Sequence, residues 1–99
     1  MKAKYIQGDV ALVPVEKTNG EIKKTGDVVL AEGETTGHRH VLRGAVQYVD
    51  ANGQVSVQVD QPAQLVHEEH HELTIQPGAY RVVIQREFDL TQGVRQVMD

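Results

Sequence analysis

Short runs of aliphatic residues, valine above all, recur along the chain, and turn-forming residues separate them. The clearest run covers 55–60, where three valines alternate with polar residues. Successive side chains of a strand point to opposite faces, so the valines are predicted to face the core and the polar residues, Ser56 among them, to face water. The preceding pair, Asn52 and Gly53, tolerates the positive φ angles of a tight turn. We therefore predict a β-hairpin around this turn.

Other apolar runs predict further strands, each bounded by glycine, proline, asparagine or aspartate. Pro14 donates no hydrogen bond to a sheet, so the first run should end there or face an edge. Gly44 is a candidate bulge within the third. No segment repeats apolar residues at the helical period over a helical length. The longest runs cover 6–15, 28–31, 40–49 and 80–88.

These patterns predict one all-β domain over residues 1–99, since a chain of 99 residues is near the usual size for a single core. We expect a small barrel or a two-sheet sandwich of about six to eight antiparallel strands. The polar stretch 16–25 is predicted to be an exposed loop or hairpin tip. The stretch 89–99 is predicted to be an edge strand or a loose tail.

Composition removes several classes of function. The chain has no cysteine, so disulfides and thiolate metal sites are excluded, and a metal ion would need imidazole, carboxylate, carbonyl or water ligands. Its formal charge is −4 with lysine and arginine scattered, which predicts no nucleic-acid binding. It contains neither a signal-peptide pattern nor an apolar run that could cross a bilayer, so we expect a cytoplasmic protein without a membrane partner. No phosphate-binding loop or organic cofactor is indicated.

All five histidines lie in two short windows. In the first, His38 and His40 are two residues apart, which places them on one face of an extended strand. If the second window is extended, His67, Glu69 and His71 share a face. If it forms a helical turn, the three histidines lie together. The pattern leaves both conformations open. The second window consists of His67, Glu68, Glu69, His70, His71 and Glu72.

Neutral imidazole is a good ligand for zinc, nickel, copper and iron, at ligand distances of about 2 Å. We therefore predict that the fold brings the two windows together around a divalent transition metal, zinc or nickel. The predicted ligands are His38, His40 and His67, with His70 or Glu69 as the fourth and with His71 outside the set.

Two other functions fit the same residues. The second window has the composition of a solvated loop, so the chain could be a non-catalytic module that contacts a protein partner or a second copy of itself. Several imidazoles that titrate near neutrality would also make such a surface pH-sensitive. An enzyme that uses the metal is the remaining alternative, but no hydrolytic triad is indicated. The residues favour a binding protein over an enzyme.

One set of motifs resembles part of the cupin pattern. In cupins an H-x-H pair, a nearby glutamate and a later histidine bind a metal inside a β-barrel, which implies a metal-dependent enzyme acting on a small molecule. This chain departs from that pattern, because residues 41–49 contain no acid and no histidine follows Gly78. The matching residues are Gly33, His38, His40, the run 41–44 and the turn at Pro77 and Gly78.

A resemblance over most of the chain is to a family of small bacterial proteins without an established activity. It implies His38, His40, His67 and His70 as the shared histidines. It also adds Arg86 and Glu87 as candidates for a role beyond packing, with a cross-strand ion pair as the alternative. The motifs that carry it lie at 7–10, 31–40, 67–70, 77–82 and 85–87.

Overall fold

The computed structural model describes residues 2–32 and 37–85, and within these ranges the chain forms strands and no helix. The all-β prediction is confirmed, with ten strands in the described part of the chain where six to eight were expected. The first five are β1 (Tyr5–Gln7), β2 (Val10–Val15), β3 (Glu21–Thr25), β4 (Val28–Glu32) and β5 (Arg39–Arg43). The second five are β6 (Val46–Ala51), β7 (Gln54–Val59), β8 (Ala63–His67), β9 (His70–Ile75) and β10 (Gly78–Ile84).

The strands form two antiparallel sheets arranged as a sandwich, not a closed barrel. The six-stranded sheet has the order β1-β2-β10-β7-β6-β3, and the four-stranded sheet has the order β4-β5-β8-β9. Strand β1 at the edge of the larger sheet contacts strand β9 at the edge of the smaller one. The two sheets therefore meet along a seam between these edge strands.

The chain crosses between the sheets where a single strand was predicted over 40–49, and that prediction is wrong. Strand β5 ends at Arg43 in the smaller sheet, and β6 starts at Val46 in the larger one. Gly44 lies between them with a φ of 139°, a conformation that other residues rarely adopt. Its N–H donates to Asp27 Oδ1 at 2.9 Å. The glycine is thus a crossing point between sheets and not a bulge within one strand.

The first predicted strand, 6–15, is likewise a hairpin of two strands. Gly8 and Asp9 form the turn between β1 and β2, and Gly8 has a φ of 59°. Pro14 lies in β2 opposite Tyr80 on one side and beyond the paired part of β1 on the other. The missing N–H of proline is therefore tolerated at the position the sequence indicated.

The hairpin predicted at Asn52 and Gly53 is confirmed. Asn52 has a φ of 57° and Gly53 a φ of 85°, and they connect β6 to β7. Within β7, Val57 and Val59 are buried as predicted. The prediction for Ser56 is wrong, because it is only 9% exposed. Strand β7 is paired on both sides, and Ser56 lies opposite Val49 of β6 and Arg81 of β10, whose side chains project to the same face.

Residues Glu21–Thr25 of the predicted loop 16–25 form β3, an edge strand whose five residues are all exposed. Its polar composition fits a strand that covers no core. Strand β10 ends at Ile84, and the predictions for the rest of 80–88, for Arg86 and Glu87, and for 89–99 lie outside the described residues. No helix in the described part of the chain is long and apolar enough to span a membrane.

The core lies between the sheets and consists mainly of aliphatic side chains from both. Tyr80 joins it, and its ring lies edge-on to that of Tyr5 with centroids 5.7 Å apart. Burial raises the pKa of the Tyr80 hydroxyl, which donates a hydrogen bond to the Gln76 carbonyl at 2.7 Å. The core residues are Leu12, Val28, Leu42, Val46, Val57, Val59, Ala63, Leu65, Ile75 and Tyr80.

Candidate metal centre

The second histidine window folds into a tight hairpin, which is neither of the two conformations considered from sequence. Strand β8 ends at His67 and β9 begins at His70, so the intervening glutamates form a two-residue turn. His67 and His70 lie opposite each other in the register of the two strands. Directly opposed residues of an antiparallel pair project to the same face, so the hairpin presents both imidazoles together.

The first window lies beside this hairpin, because β5 pairs with β8 and places Val41 opposite Val66. That register brings His40 next to His67, with ring centroids 4.2 Å apart. The ring of His38 contacts His67 from the other side at 5.6 Å. The fold thus brings the two windows together, as the sequence analysis required for a shared site.

Four histidine rings form one cluster, which we call the histidine cluster: His38, His40, His67 and His70. The two remaining ring contacts are His67 to His70 at 4.6 Å and His40 to His70 at 5.8 Å. His40 is the deepest member at 4% exposure, whereas His70 is exposed. The cluster therefore runs from the sheet seam out to the surface.

Gln7 at the end of β1 holds the deepest imidazole in place. Its buried amide nitrogen donates to the carbonyls of Leu65 and His71, each at 2.9 Å, and its Oε1 lies 2.8 Å from His40 Nδ1. Carbonyls only accept hydrogen bonds, so the amide NH₂ must face them and Oε1 must accept from His40. Nδ1 of His40 therefore carries a proton, and in the neutral ring Nε2 is the unprotonated nitrogen.

The turn that follows Gln7 approaches the cluster closely. A Cβ on Gly8 would lie 2.8 Å from His70 Nε2 and 3.1 Å from His40 Cε1, so no larger residue fits without displacing a ring. Asp9 places Oδ1 3.4 Å from His40 Nε2. We call Gln7, Gly8 and Asp9 the N-terminal turn.

No chemical role was predicted for this turn from the sequence. The signal that could have found it was the motif at 7–10 in the resemblance to small bacterial proteins. Periodicity could not reveal it, because a polar residue at position 7 fits any exposed strand. Its contact with a segment 58 to 64 residues away depends on the fold.

The hairpin glutamates lie at the outer side of the cluster. Glu68 Oε1 accepts a hydrogen bond from the Arg39 N–H at 3.0 Å, and this bond holds the pKa of Glu68 below its ordinary 4.5, so the carboxylate is ionised at neutral pH. Donor atoms of His38, His67 and Glu68 all lie within 4.8 Å of one another. Glu69 Oε1 is 3.6 Å from His38 Nδ1.

His67 and His71 differ from their neighbours. Nδ1 of His67 accepts a hydrogen bond from the Glu69 N–H at 3.0 Å, so its neutral ring carries the proton on Nε2. His71 follows His70 on the strand and is exposed. It contributes its main-chain carbonyl to the hydrogen bond from Gln7.

Fold and cluster together define a class of protein: a small two-sheet β-sandwich domain with histidines from three strands or strand ends gathered at the seam between its sheets. Residues 6–85 match the family described as "Domain of unknown function (DUF8820)", and the chain belongs to this family. The match supports the resemblance to a family of small proteins without an established activity, and the cupin resemblance is not confirmed. No curated protein and no solved structure matches the chain.

Proposed function

We propose that this domain binds one divalent transition-metal ion through the histidine cluster. The observation that carries the proposal is the convergence of four imidazoles from two windows of a chain with five histidines. Packing four ionisable rings together has no evident role in building the core, which is aliphatic. The proposed ligands are His38, His40, His67 and His70.

The spacing of the rings fits a shared ion. A metal about 2.0–2.1 Å from each ligating nitrogen places the centres of two imidazoles roughly 4.5–5.5 Å apart, depending on the coordination angle. Of the four ring pairs, His67 and His70 lie within this range at 4.6 Å, and the other three pairs, at 4.2, 5.6 and 5.8 Å, lie within about 0.3 Å of it. The donor atoms of His38 and His67 already group with one of Glu68, whereas coordination by His40 and His70 as well requires side-chain rotation.

The two inner ligands, His40 and His67, differ in whether their hydrogen bonds are already compatible with metal coordination. His40 already has the tautomer that leaves Nε2 able to coordinate, because Gln7 occupies Nδ1. His67 must lose the hydrogen bond that Nδ1 accepts from the Glu69 N–H. If Nδ1 coordinates the metal, its lone pair is no longer available to the N–H. If Nε2 coordinates instead, Nδ1 must carry the proton of the neutral ring and cannot accept. Loss of one such hydrogen bond costs about 1 kcal/mol, which is small beside the affinity of a multi-histidine site.

Negative charge near the outer ligands supports a cation. Glu68 is ionised and its donor atom groups with those of His38 and His67, whereas the carboxylate of Glu69 lies 3.6 Å from His38 Nδ1. Glu68 is therefore a further candidate beside Glu69, the carboxylate proposed from sequence. Zinc or nickel is the proposed ion, since both bind imidazole well and the chain offers no thiolate.

Direct titration of untagged protein with zinc and with nickel tests the proposal. We expect about one equivalent bound by the wild type and an affinity at least 100-fold lower for the His38→Ala, His40→Ala double variant. His71→Ala is the matched control, because it removes an exposed histidine of the same hairpin and should bind like the wild type. Circular dichroism of each variant verifies that it is folded.

Equal affinities in the wild type and the double variant would contradict the proposal, as would binding below stoichiometry in every sample. The hairpin of β8 and β9 would then be better explained as a contact surface for a protein partner or a second copy of the chain. A bound metal with an exchangeable water would instead favour the metal-dependent enzyme, because an open position permits Lewis-acid chemistry.

A further inference from the structure

We infer that Asp9 is a ligand of the same ion, so that the N-terminal turn supplies the carboxylate of a mixed histidine and aspartate site. This inference rests on the proposed function and goes beyond it, because it adds a ligand from the opposite sheet. The juxtaposition that carries it is Asp9 Oδ1 against Nε2 of His40, 3.4 Å apart.

That distance matches two ligands of one metal better than it matches a direct bond. Neighbouring donor atoms at about 2.0–2.1 Å from one ion, with angles of roughly 90–120° between them, are about 2.8–3.6 Å from each other. A charge-assisted hydrogen bond between a protonated imidazole and a carboxylate measures about 2.7–2.9 Å. The observed separation leaves room for an ion bound by both atoms.

The orientation of the His40 imidazole also favours Asp9 as a ligand. Gln7 fixes the proton of His40 on Nδ1, so Nε2 of the neutral ring presents a lone pair toward an acceptor oxygen of Asp9. A cation between these two electron-rich atoms is stabilising, whether it is a proton on Nε2 or a metal ion. A metal ion in this position would be coordinated by Nε2 of His40 and by Oδ1 of Asp9.

The turn is built to hold Asp9 at this place. Gly8 takes a φ of 59° and lacks the Cβ that would collide with His70, so the turn can pass directly under the rings. The Asp9 carbonyl accepts a hydrogen bond from the Gln85 N–H at 2.8 Å, which ties the turn to the end of β10. The carboxylate is therefore positioned by the larger sheet and the imidazoles by the smaller one.

A carboxylate among imidazoles makes the donor set harder. Such a set suits divalent zinc, nickel, cobalt or iron and disfavours monovalent copper, which prefers sulfur ligands. Cobalt(II) is a useful probe, because its visible absorption reports directly on the identity and number of its ligands.

The test compares the wild type with Asp9→Asn, and uses Glu72→Gln as a matched control that removes one exposed negative charge beside the same hairpin. Zinc affinity is measured by competition with a chelator, and the ligand field by the cobalt(II) spectrum. We expect Asp9→Asn to bind zinc at least 100-fold more weakly and to shift the cobalt spectrum, while Glu72→Gln leaves both unchanged.

An unchanged cobalt spectrum in folded Asp9→Asn would overturn the inference, even with affinity reduced by 10- to 100-fold, because that result describes a group outside the coordination sphere. Wild-type affinity in Asp9→Asn would overturn it as well and leave the histidine site standing. Absence of binding in the wild type would overturn the proposed function and the role of Asp9 together.

Discussion

The buried amide of Gln7 connects strand β1 to three strands of the smaller sheet. Gln7 is 3% exposed, and its single side chain links β1 to the carbonyl of Leu65 in β8, the carbonyl of His71 in β9 and the ring of His40 in β5. An isosteric apolar residue would fill the same space but leave these partners without their hydrogen bonds. The residue therefore serves both the packing of the seam and the chemistry of His40.

Replacement of Gln7 by methionine tests this role. We expect a free energy of unfolding about 2–3 kcal/mol lower, because buried groups that lose a partner cost about 1–3 kcal/mol each and part of the loss is recovered by relaxation. Urea denaturation measures the change. Gln64→Met is the control: Gln64 is half-buried and accepts an exposed hydrogen bond from Thr74, so its replacement should change the free energy of unfolding by less than about 1 kcal/mol.

Nitrogen chemical shifts of the His40 ring give a second measurement on the same variants. The wild type should show the proton on Nδ1, and the Gln7 variant should show a mixture with the Nε2 tautomer, since methionine offers no amide oxygen to accept from Nδ1. The Nε2 tautomer in the wild type would contradict the assigned orientation of the Gln7 amide.

At the scale of the element, turns were predicted better than strand partners. Asn52 and Gly53 specify a hairpin because their own backbone preferences select it. The division of 40–49 between two sheets was not predictable in the same way. Apolar and polar residues alternate in the same way in either sheet of a sandwich. The local pattern therefore cannot indicate which sheet the strand after Gly44 joins.

The β6–β7 turn provides a prediction at this scale. Asn52→Ala should lower the free energy of unfolding by about 1 kcal/mol, because alanine is disfavoured at the positive φ of 57° that asparagine tolerates. Asn52→Gly should match or exceed the wild type, since glycine adopts that conformation freely. The midpoint of thermal unfolding measures both. A loss in the glycine variant as large as in the alanine variant would show that the asparagine side chain, and not its backbone, sets the turn.

At the scale of the whole molecule, the candidate site joins the two sheets. The N-terminal turn comes from the larger sheet, whereas the histidine cluster belongs to the smaller one. The two histidine windows were predicted from the sequence to come together, and they do. The sequence could not indicate the third segment, because Gln7 and Asp9 carry no pattern that links them to histidines more than thirty residues away.

This arrangement predicts that metal binding stabilises the entire domain. Zinc at 100 times its dissociation constant should raise the free energy of unfolding by about 2.7 kcal/mol, since a ligand that binds only the folded state shifts the equilibrium by mass action. Thermal unfolding with and without zinc measures the effect, and a chelator should reverse it. The His38→Ala, His40→Ala variant should show no increment, and an equal increment there would place the bound zinc elsewhere.

The place of β10 in the larger sheet has a consequence for the order of folding during synthesis. This strand, near the end of the described chain, lies between β2 and β7 and pairs with both. Strand β2 therefore cannot pair with β10 until residues 78–84 have left the ribosome. Before that, β1 is its one available neighbour in the larger sheet. The smaller sheet, complete once residue 75 is made, can form earlier. Assembly of the larger sheet thus depends on a long-range contact formed late, which is typical of slowly folding β proteins.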